Sequence, residues 1–250
     1  MRKRERRGYE GETGVSMRKA FDPTSWTPKT ELGKFVKEGK IKSVEDILKS
    51  GNRVMESEII DMLVTNLSSD FLEIGQSKGK FGGGKSSIWK QTQKKTAEGN
   101  KPKFQTAIVV GNQEGLIGIG NGKAKETVPA REKALRNAKL NIMKIKRGCG
   151  SWDCHCGTMH SIPFSVMGKC GSIRIVLLPA PKGSGLVVND ICQKILKLSG
   201  IKDVYARTEG TTASKLNVVY ACFDALKKLS VIKINPEEEK ILGAKEHGKE

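Results

Sequence analysis

The sequence predicts an α+β protein with two domains behind a helical N-terminal extension. Two patterns carry this prediction: a strand hairpin followed by a long helix in the first half, and a mixed βαβα order of short strands and helices in the second. Between them, after Arg147, the composition changes to Gly, Cys and His, which marks a domain boundary. We therefore expect an extension (1–66), a first domain (67–147), a second domain (148–230) and a charged tail (231–250).

The extension should consist of a basic tail and three short helices. The first 28 residues have too few apolar positions to offset the entropy of ordering a chain, so we expect them to be ordered only on a partner. Helices should start at Thr30 and Ser43, whose hydroxyls can cap a first turn, and a third helix should begin at Ser57, where an apolar stripe at helical spacing follows. Gly39 and Gly51 should end the first two helices.

The first domain should be a sheet covered by one long helix. Residues 71–74, 104–110 and 116–120 are predicted strands, the last two joined by a glycine-bounded turn. A flexible arm is expected at 76–103, which is poor in apolar residues and contains three consecutive glycines. The helix should begin with Thr127 as its cap. The small ridge that packs on the sheet is expected to be Ala130, Ala134, Ala138 and Ile142.

The second domain should alternate short strands and helices. Its predicted elements are strands at 162–167 and 172–178 with a turn at 168–171, a helix at 189–199, a strand at 204–207 and a helix at 214–229. The face of the last helix that should be buried is Leu216, Val219, Tyr220, Phe223 and Leu226.

The positive charge of the chain is concentrated in three segments. The 45 Lys and Arg residues exceed the 27 Asp and Glu residues, which gives a formal net charge of +18. Residues 1–20 carry a net +4, residues 76–103 a net +7 and residues 123–147 a net +7, whereas the rest of the chain is balanced. A clustered excess of this size indicates a polyanionic partner, and we interpret the three segments as a footprint on RNA.

The lysine arm at 76–103 is the clearest candidate for RNA contact. Its lysines repel one another unless a polyanion neutralises them, which favours RNA binding over a merely solvated loop. Trp89 and Phe81 offer rings on which unpaired bases could stack, although either ring could instead pack against the protein. The candidate RNA-binding lysines of the arm are Lys78, Lys80, Lys85, Lys90, Lys94, Lys95, Lys101 and Lys103.

A glycine-rich run, GIGNGK at 118–123, invites comparison with nucleotide-binding loops. Its spacing is wrong, because Ile117 and Ala124 stand where a phosphate loop needs Gly and Ser or Thr, so we expect no nucleotide cofactor. The run is either a structural turn or a strand face without side chains that an RNA backbone can approach beside a helix N-terminus. We favour the second interpretation. The further candidate RNA-binding residues are Gly118, Gly120, Asn121, Gly122, Lys123, Lys125, Arg131, Arg136 and Arg147.

A cluster of soft metal ligands follows with the spacing C-x4-C-x-C-x3-H. Three thiols and an imidazole within twelve residues can close a tetrahedral zinc site. The spacing departs from the usual C-x2–4-C knuckle, so reduced and partly buried cysteines remain an equal alternative. A catalytic Cys–His pair is disfavoured, because the sequence shows no orienting acid or oxyanion element. The candidate ligands of one structural zinc ion are Cys149, Cys154, Cys156 and His160.

Two other features narrow the class of protein. The longest apolar stretch, residues 173–180, contains an Arg and a Pro and falls far short of the roughly 18 residues that cross a bilayer. No apolar segment follows the basic N-terminus, which argues against secretion. We expect a cytoplasmic protein without a membrane partner. The loop at 179–185 could equally be a phosphate-binding turn or a tight crossover.

The longest ordered strings resemble one known family. FQTAIVVGNQEGLIGIGNGKAKETVPAREKALRNAKLNIMKIK (104–146) and GSIRIVLLPAPKGSGL (171–186) closely resemble the universal family of small-ribosomal-subunit protein S5, and the likeness spans about residues 65–230. WTPKTELG (26–33) and GCGSWDCHC (148–156) look like the archaeal branch, with the eukaryotic branch next.

The resemblance implies a fold and a function. It implies an N-terminal double-stranded-RNA-binding-like α-β domain followed by the βαβα domain typical of the family's C-terminal half. It also implies a structural, non-enzymatic constituent of the small subunit in the cytoplasmic ribosome that is not a homo-oligomer. Its partners would be ribosomal RNA, proteins S4 and S8, and messenger RNA near the entry path, with effects on decoding accuracy. The arm from Lys78 to Gly99 is longer than the family's usual loop, so no contact there is carried over. The alternative is a free-standing phosphate-handling α/β enzyme or a non-ribosomal RNA-binding protein.

Overall fold

The computed structural model describes residues 26–76, 86–154, 156–233, 235 and 242 of the chain. The helices among these residues are α1 (Glu31–Lys37), α2 (Val44–Lys49), α3 (Ser57–Leu63), α4 (Thr127–Leu140), α5 (Asp190–Ser199) and α6 (Lys215–Val231). The strands are β1 (Ser68–Leu72), β2 (Lys90–Thr96), β3 (Gly99–Gly111), β4 (Leu116–Ala124), β5 (Ile142–Lys144), β6 (Val166–Cys170), β7 (Ile173–Pro179), β8 (Leu186–Val187) and β9 (Val204–Glu209). The fold is α+β, as the sequence predicts. No helix in the described part of the chain is long and apolar enough to cross a membrane.

The three short helices of the extension start close to where the sequence predicts. The hydroxyls of Thr30 and Ser43 each accept the backbone N–H three residues further on, which caps α1 and α2. The third helix begins at Ser57, as the sequence predicts, and Glu56 is its N-cap. The helices form a small apolar core of their own against one edge of the first sheet.

The first sheet has the strand order β1-β3-β4-β5 with antiparallel neighbours, and β2 pairs with β3 beyond the end of β1. The expectation of a flexible arm is wrong for residues 90–103. These residues form a regular antiparallel ribbon in which β2 pairs with the start of β3, from Lys90↔Gln105 to Thr96↔Gly99. The ribbon continues the backbone ladder of the apolar part of β3, so it needs no apolar residues of its own. A composition-based prediction could therefore not detect it.

The glycine-rich run is a strand and not a turn. β4 continues to Ala124, and a Cβ added at Gly118, Gly120 or Gly122 would fall on a backbone carbonyl of α4. The backbone that approaches this bare strand face is therefore that of the protein's own helix. The buried ridge of α4 that meets it is Ala130, Ala134 and Ala138.

Helix α4 differs from its prediction at both ends. Glu126 is the N-cap and Thr127 is the first helical residue, so Thr127 does not cap the helix. The helix ends at Leu140, and Ile142 begins β5 instead of extending the alanine ridge. Both differences arise because helical periodicity continues into the neighbouring residues without marking where the chain changes direction.

The second sheet has the strand order β6-β7-β9-β8, with β8 parallel to β9. Its first hairpin turns at Gly171 and Ser172, so residues 168–170, predicted as part of the turn, belong to β6. Gly168 is required within the strand, because a Cβ there would fall on the carbonyl oxygen of Ala221 in α6. Both sheets therefore use glycine to let a helix approach closely.

The buried side of α6 differs from the predicted face. Val219 and Leu226 are buried, but Tyr220 is 39% exposed and Leu216 and Phe223 are half-buried. The prediction followed the large apolar residues, whereas the helix packs closely on the sheet through smaller ones. The other buried residues of α6 are Val218, Ala221, Cys222, Ala225 and Leu229.

Helix α5 lies between the two sheets. It contacts β1, β3 and β4 of the first sheet, and α6 and β8 of the second half. Ile195 and Leu196 of this helix share one apolar cluster with Val109 and Ile119 of the first sheet and Ile175 of the second. The main core therefore draws on residues from both sides of the predicted domain boundary.

Candidate RNA interface and metal centre

One face of the β2–β3 ribbon carries a set of lysines. Residues that are directly opposite each other in antiparallel strands project to the same face. Lys94 is opposite Lys101, and Gln105 is opposite Lys90 on one side and Lys123 of β4 on the other. Alternate residues along a strand share that face. We define the lysine face as Lys90, Lys94, Lys101, Lys103 and Lys123.

The lysine face is exposed and largely uncompensated. All five side chains are exposed, and the acid that pairs with them among the described residues is Glu98, 2.6 Å from Lys101. Like charges directly opposite each other destabilise a strand pair, on a scale of roughly 0.2–1 kcal/mol. The Lys94–Lys101 pair therefore costs stability in the isolated protein, Glu98 offsets part of that cost at Lys101, and a bound polyanion would remove the rest.

Three of the residues predicted to bind RNA face the interior. Gly118, Gly120 and Gly122 are buried beneath α4, so an RNA backbone has no access to them. We remove them from the candidate interface. Asn121 lies on the face of the sheet that points away from α4, where its Oδ1 accepts a hydrogen bond from Gln105 Nε2 at 3.1 Å.

Arg131 is held by contacts within the protein, and its role on RNA remains a prediction. Its guanidinium lies over the rings of Phe71 and Trp89, with the Cζ atom 5.3 and 4.6 Å from the two ring centroids. Such cation–π contacts stabilise a fold by roughly 0.5–2 kcal/mol each. Trp89, considered above as a stacking surface for bases, therefore packs against the protein.

Arg147 also makes contacts within the protein, and its role on RNA remains a prediction. Its guanidinium donates to the backbone carbonyls of Gln113, Glu114 and Gly200 at 3.2, 2.8 and 3.4 Å. Burial lowers the pKa of Arg147, and the nearby Glu114 carboxylate opposes that shift. The side chain ties the β3–β4 turn to the end of α5 across the predicted domain boundary.

The other described candidate cations also remain predicted RNA contacts. Lys125 and Arg136 are exposed at the start and along the outer side of α4, and Lys95 projects from the ribbon face opposite the lysine face. The predictions that lie outside the described residues concern the tail up to residue 25, most of the charged tail at 231–250, Lys78, Lys80, Lys85 and Phe81.

The four candidate metal ligands come together in the structure. One ligand atom from each of Cys149, Cys154, Cys156 and His160 lies within 4.8 Å of the other three. The Sγ atom of Cys154 is 3.9 Å from Nε2 of His160. With Zn–S bonds near 2.3 Å, sulfurs around a tetrahedral zinc ion are about 3.8 Å apart. The donor set therefore fits zinc after small side-chain movements.

Two of these thiols have shifted pKa values. Burial raises the pKa of Cys149 to about 11. Hydrogen bonding to Thr158, whose hydroxyl lies 3.1 Å from the Sγ atom, lowers the pKa of Cys156 to about 6. A thiolate is the form of cysteine that binds metals, and the cluster offers one at neutral pH before any metal arrives.

Asp203 is a residue of this site that sequence reasoning missed. Its Oδ2 lies 2.8 Å from Nδ1 of His160, and both side chains are buried, at 4% and 6% exposure. Its Oδ1 accepts the backbone N–H groups of Gly183 and Gly185 at 3.1 and 2.9 Å. These N–H groups are therefore not available to a phosphate, which leaves the crossover interpretation of the loop at 179–185. No spacing in the sequence connects an acid to a histidine 43 residues away.

Asp203 also supplies the orienting acid that a catalytic Cys–His pair would need, which the sequence analysis judged absent. The Cys154–His160–Asp203 order has the connectivity of a nucleophile, base and acid. The convergence of two further thiols on the same point instead matches a four-ligand metal site.

The α+β fold and the exposed lysine face together define a basic protein of the RNA-binding class. The family model of ribosomal protein S5, N-terminal domain, matches residues 89–146, and that of ribosomal protein S5, C-terminal domain, matches residues 168–238. The ribbon from residue 90 lies within the first match. The four candidate metal ligands lie between the two matches, so neither family model covers them.

Curated archaeal relatives are similar over most of their length. The small ribosomal subunit protein uS5 of Nanoarchaeum equitans is 49% identical over 84% of this chain and 90% of its own length. The protein of the same name from Methanothermobacter thermautotrophicus is 41% identical over 89% of this chain and 96% of its own length. The chain belongs to the ribosomal protein S5 family, in its archaeal form. As predicted, it is a non-enzymatic ribosomal protein.

Proposed function

We propose that this protein is a structural constituent of the small ribosomal subunit that binds ribosomal RNA through the lysine face. The observation that carries the proposal is the directly opposed pair Lys94 and Lys101 at the protruding end of a two-stranded ribbon. An arrangement that is unfavourable in the isolated protein becomes favourable once phosphates lie along it.

The salt dependence of RNA affinity tests this proposal. Each phosphate contact that is lost lowers the slope of log K against log salt by about 0.7–0.9. Replacing the four ribbon lysines of the lysine face by glutamine should lower the slope by about 3–4 and weaken binding to a small-subunit rRNA fragment roughly 100-fold at physiological salt. The residues to be replaced are Lys90, Lys94, Lys101 and Lys103.

The matched control removes the same number of charges elsewhere. Four exposed lysines of the second half, replaced by glutamine, should leave the slope within one unit of the wild-type value. Equal losses in the two variants would show that binding follows net charge alone, and the lysine face would then have no special role. The control residues are Lys182, Lys197, Lys202 and Lys227.

Within the subunit, the protein's place follows from its resemblance to the family. The proposed site is near the messenger-RNA entry path beside proteins S4 and S8, with an influence on decoding accuracy. Exposed apolar side chains of the second half, among them Met167 and Val231, support protein contacts there.

A photo-crosslinker at Glu98 on the ribbon should capture RNA, and one at Met167 should capture a ribosomal protein. Ribosomes carrying the ribbon variant should misread a reporter codon more often. An unchanged misreading rate would contradict an influence of the protein on decoding accuracy.

The second proposed property is one structural zinc ion held by the four ligands that converge after the first domain. The close approach of Cys149, Cys154, Cys156 and His160 supports it, since three thiols and one imidazole that converge on one point form a donor set of the kind that binds tetrahedral zinc. The cluster immediately follows Arg147, so a bound ion would fix the chain where it enters the second half.

Metal analysis after dialysis against EDTA tests the zinc proposal. The purified full-length protein should retain close to one zinc ion, and Cys154→Ser should lose both the ion and several degrees of thermal stability. Cys170→Ser is the control, because Cys170 is a half-buried free cysteine of β6 outside the cluster. A Cys154→Ser variant as stable as the control would contradict a structural metal.

A further inference from the structure

His160 and Asp203 form a buried pair, in which His160 is a candidate metal ligand and Asp203 is not. The Asp203 carboxylate can therefore act on the metal site only through His160. An ionised carboxylate only accepts hydrogen bonds. In the neutral ring, the 2.8 Å contact between Oδ2 of Asp203 and Nδ1 of His160 favours the tautomer with its proton on Nδ1. The lone pair of that tautomer is on Nε2, the nitrogen that faces Cys154.

We infer that Asp203 is the positioning residue of the metal centre, which fixes the tautomer and the orientation of His160 so that its Nε2 binds a zinc-type divalent cation together with the three thiolates. The inference rests on the zinc site proposed above and assigns that site an outer carboxylate. Carboxylate–histidine–metal connections of this kind raise the basicity of the ligating nitrogen.

Asp203 is itself held rigidly, which is what a positioning residue requires. Its backbone N–H donates to the carbonyl of His160, and its carbonyl accepts the hydroxyl of Ser161. The other carboxylate oxygen holds the N–H groups of Gly183 and Gly185. One side chain therefore connects the metal loop with the loop at 181–185, and metal binding should steady both.

The substitution Asp203→Asn separates the contact of this side chain with His160 from its contacts with the loop at 181–185. The amide oxygen can still accept from Gly183 and Gly185, and these two donors favour placing the oxygen on their side. The amide NH2 then faces Nδ1 of His160 and favours the opposite tautomer, in which Nε2 carries the proton and cannot bind metal. The variant should keep the loop at 181–185 in place while losing metal affinity.

The test uses the full chain freed of metal and titrated with cobalt(II), with zinc in competition. Outer carboxylates of this kind are worth about 10–100-fold in metal affinity, so Asp203→Asn should bind cobalt 10–100-fold more weakly than wild type. The control is Asp224→Asn, since Asp224 also accepts a backbone N–H, from Lys169, but lies on α6 outside the metal cluster. It should bind cobalt as wild type does.

The tautomer of His160 gives a second measurement, and its wild-type value does not depend on how well the variant folds. Nitrogen-15 NMR of the metal-free wild type should show the proton on Nδ1, and Asp203→Asn should move it to Nε2. Cobalt affinity of Asp203→Asn within twofold of wild type would overturn the inference and leave the zinc site standing, and so would a wild-type ring protonated on Nε2. A wild-type protein that binds no cobalt or zinc would overturn the zinc site and this inference together.

Discussion

The segments 76–103 and 123–147 carry the same net charge of +7, yet the structure uses their cations differently. In the first segment, the described lysines project from an exposed ribbon, and Lys101 has an acidic partner there. In the second, most cations have partners inside the protein. Those with such partners are Arg131 on two aromatic rings, Lys139 with Asp61, Lys144 with Glu45, Lys146 with the carbonyl of Ile232, and Arg147 with three carbonyls.

The difference teaches that a local charge excess predicts the kind of partner but not the number of contacts. The acids that pair with the second segment, Asp61 and Glu45, lie in the part of the extension that follows the basic tail, where the sequence looks electrically balanced. The ribbon projects beyond the apolar part of β3 and meets no such acids from elsewhere in the described chain. Position relative to the packed core therefore decides which cations remain for RNA.

The sharpest test of this contrast uses two adjacent residues of β4 that face opposite sides. Gly122→Ala should destabilise the protein by about 3 kcal/mol or more, because the added Cβ would fall on the carbonyl of Ala130 in α4. Lys123→Ala should leave stability within about 0.5 kcal/mol and lower the salt slope of RNA binding by about one unit. Urea unfolding and RNA titration measure the two effects. A Gly122→Ala protein of normal stability with weakened RNA binding would indicate that the glycine run contacts RNA.

Arg147 should show the next largest effect on stability. Arg147→Ala removes three bonds to carbonyls and leaves those acceptors without their charged donor, which costs roughly 2–3 kcal/mol in free energy of unfolding. The salt slope of RNA binding should stay unchanged. Arg136→Ala is the control, since Arg136 is exposed on the outer side of α4, and it should be within about 0.5 kcal/mol of wild type. A reversal of these two phenotypes would make Arg147 the RNA contact.

Arg131 should have a smaller effect through its two aromatic contacts. Arg131→Ala should lower the free energy of unfolding by about 1–2 kcal/mol, and Arg131→Lys, which keeps the charge but loses the flat guanidinium, should recover part of it. The fluorescence of Trp89 should shift in the alanine variant as the ring loses its partner. Unchanged stability together with a shallower salt slope would assign Arg131 to RNA after all.

The ion pair between Lys139 and Asp61 should have the smallest measurable effect. The two groups are 2.6 Å apart and mostly buried, at 14% and 24% side-chain exposure. A double-mutant cycle with alanine at both positions should give a coupling of about 1 kcal/mol, falling at high salt. A coupling near zero would mean that Lys139 is free to act elsewhere, and the contrast between the two segments would weaken.

The sequence could predict features that depend on neighbours along the chain. The caps at Thr30 and Ser43, the end of α5 at Gly200 and the alanine ridge of α4 follow from local hydrogen bonding and helical periodicity. The S5 family membership followed from long ordered strings. The boundaries of β4 and β6 were misjudged because glycine within a strand looks like a turn until the helix that packs on it is known.

By itself, the sequence determined the fold class, the family, the segments that hold the positive charge and the four candidate metal ligands. The tertiary structure alone decided which cations are paired and which stay exposed, because the partners of the paired cations lie in the extension and near the predicted domain boundary, many of them tens of residues away along the chain. It also brought Asp203 to His160. The reason is the same in each case, since the free energy of a charge depends on what surrounds it in space, and a sequence lists only what is next along the chain.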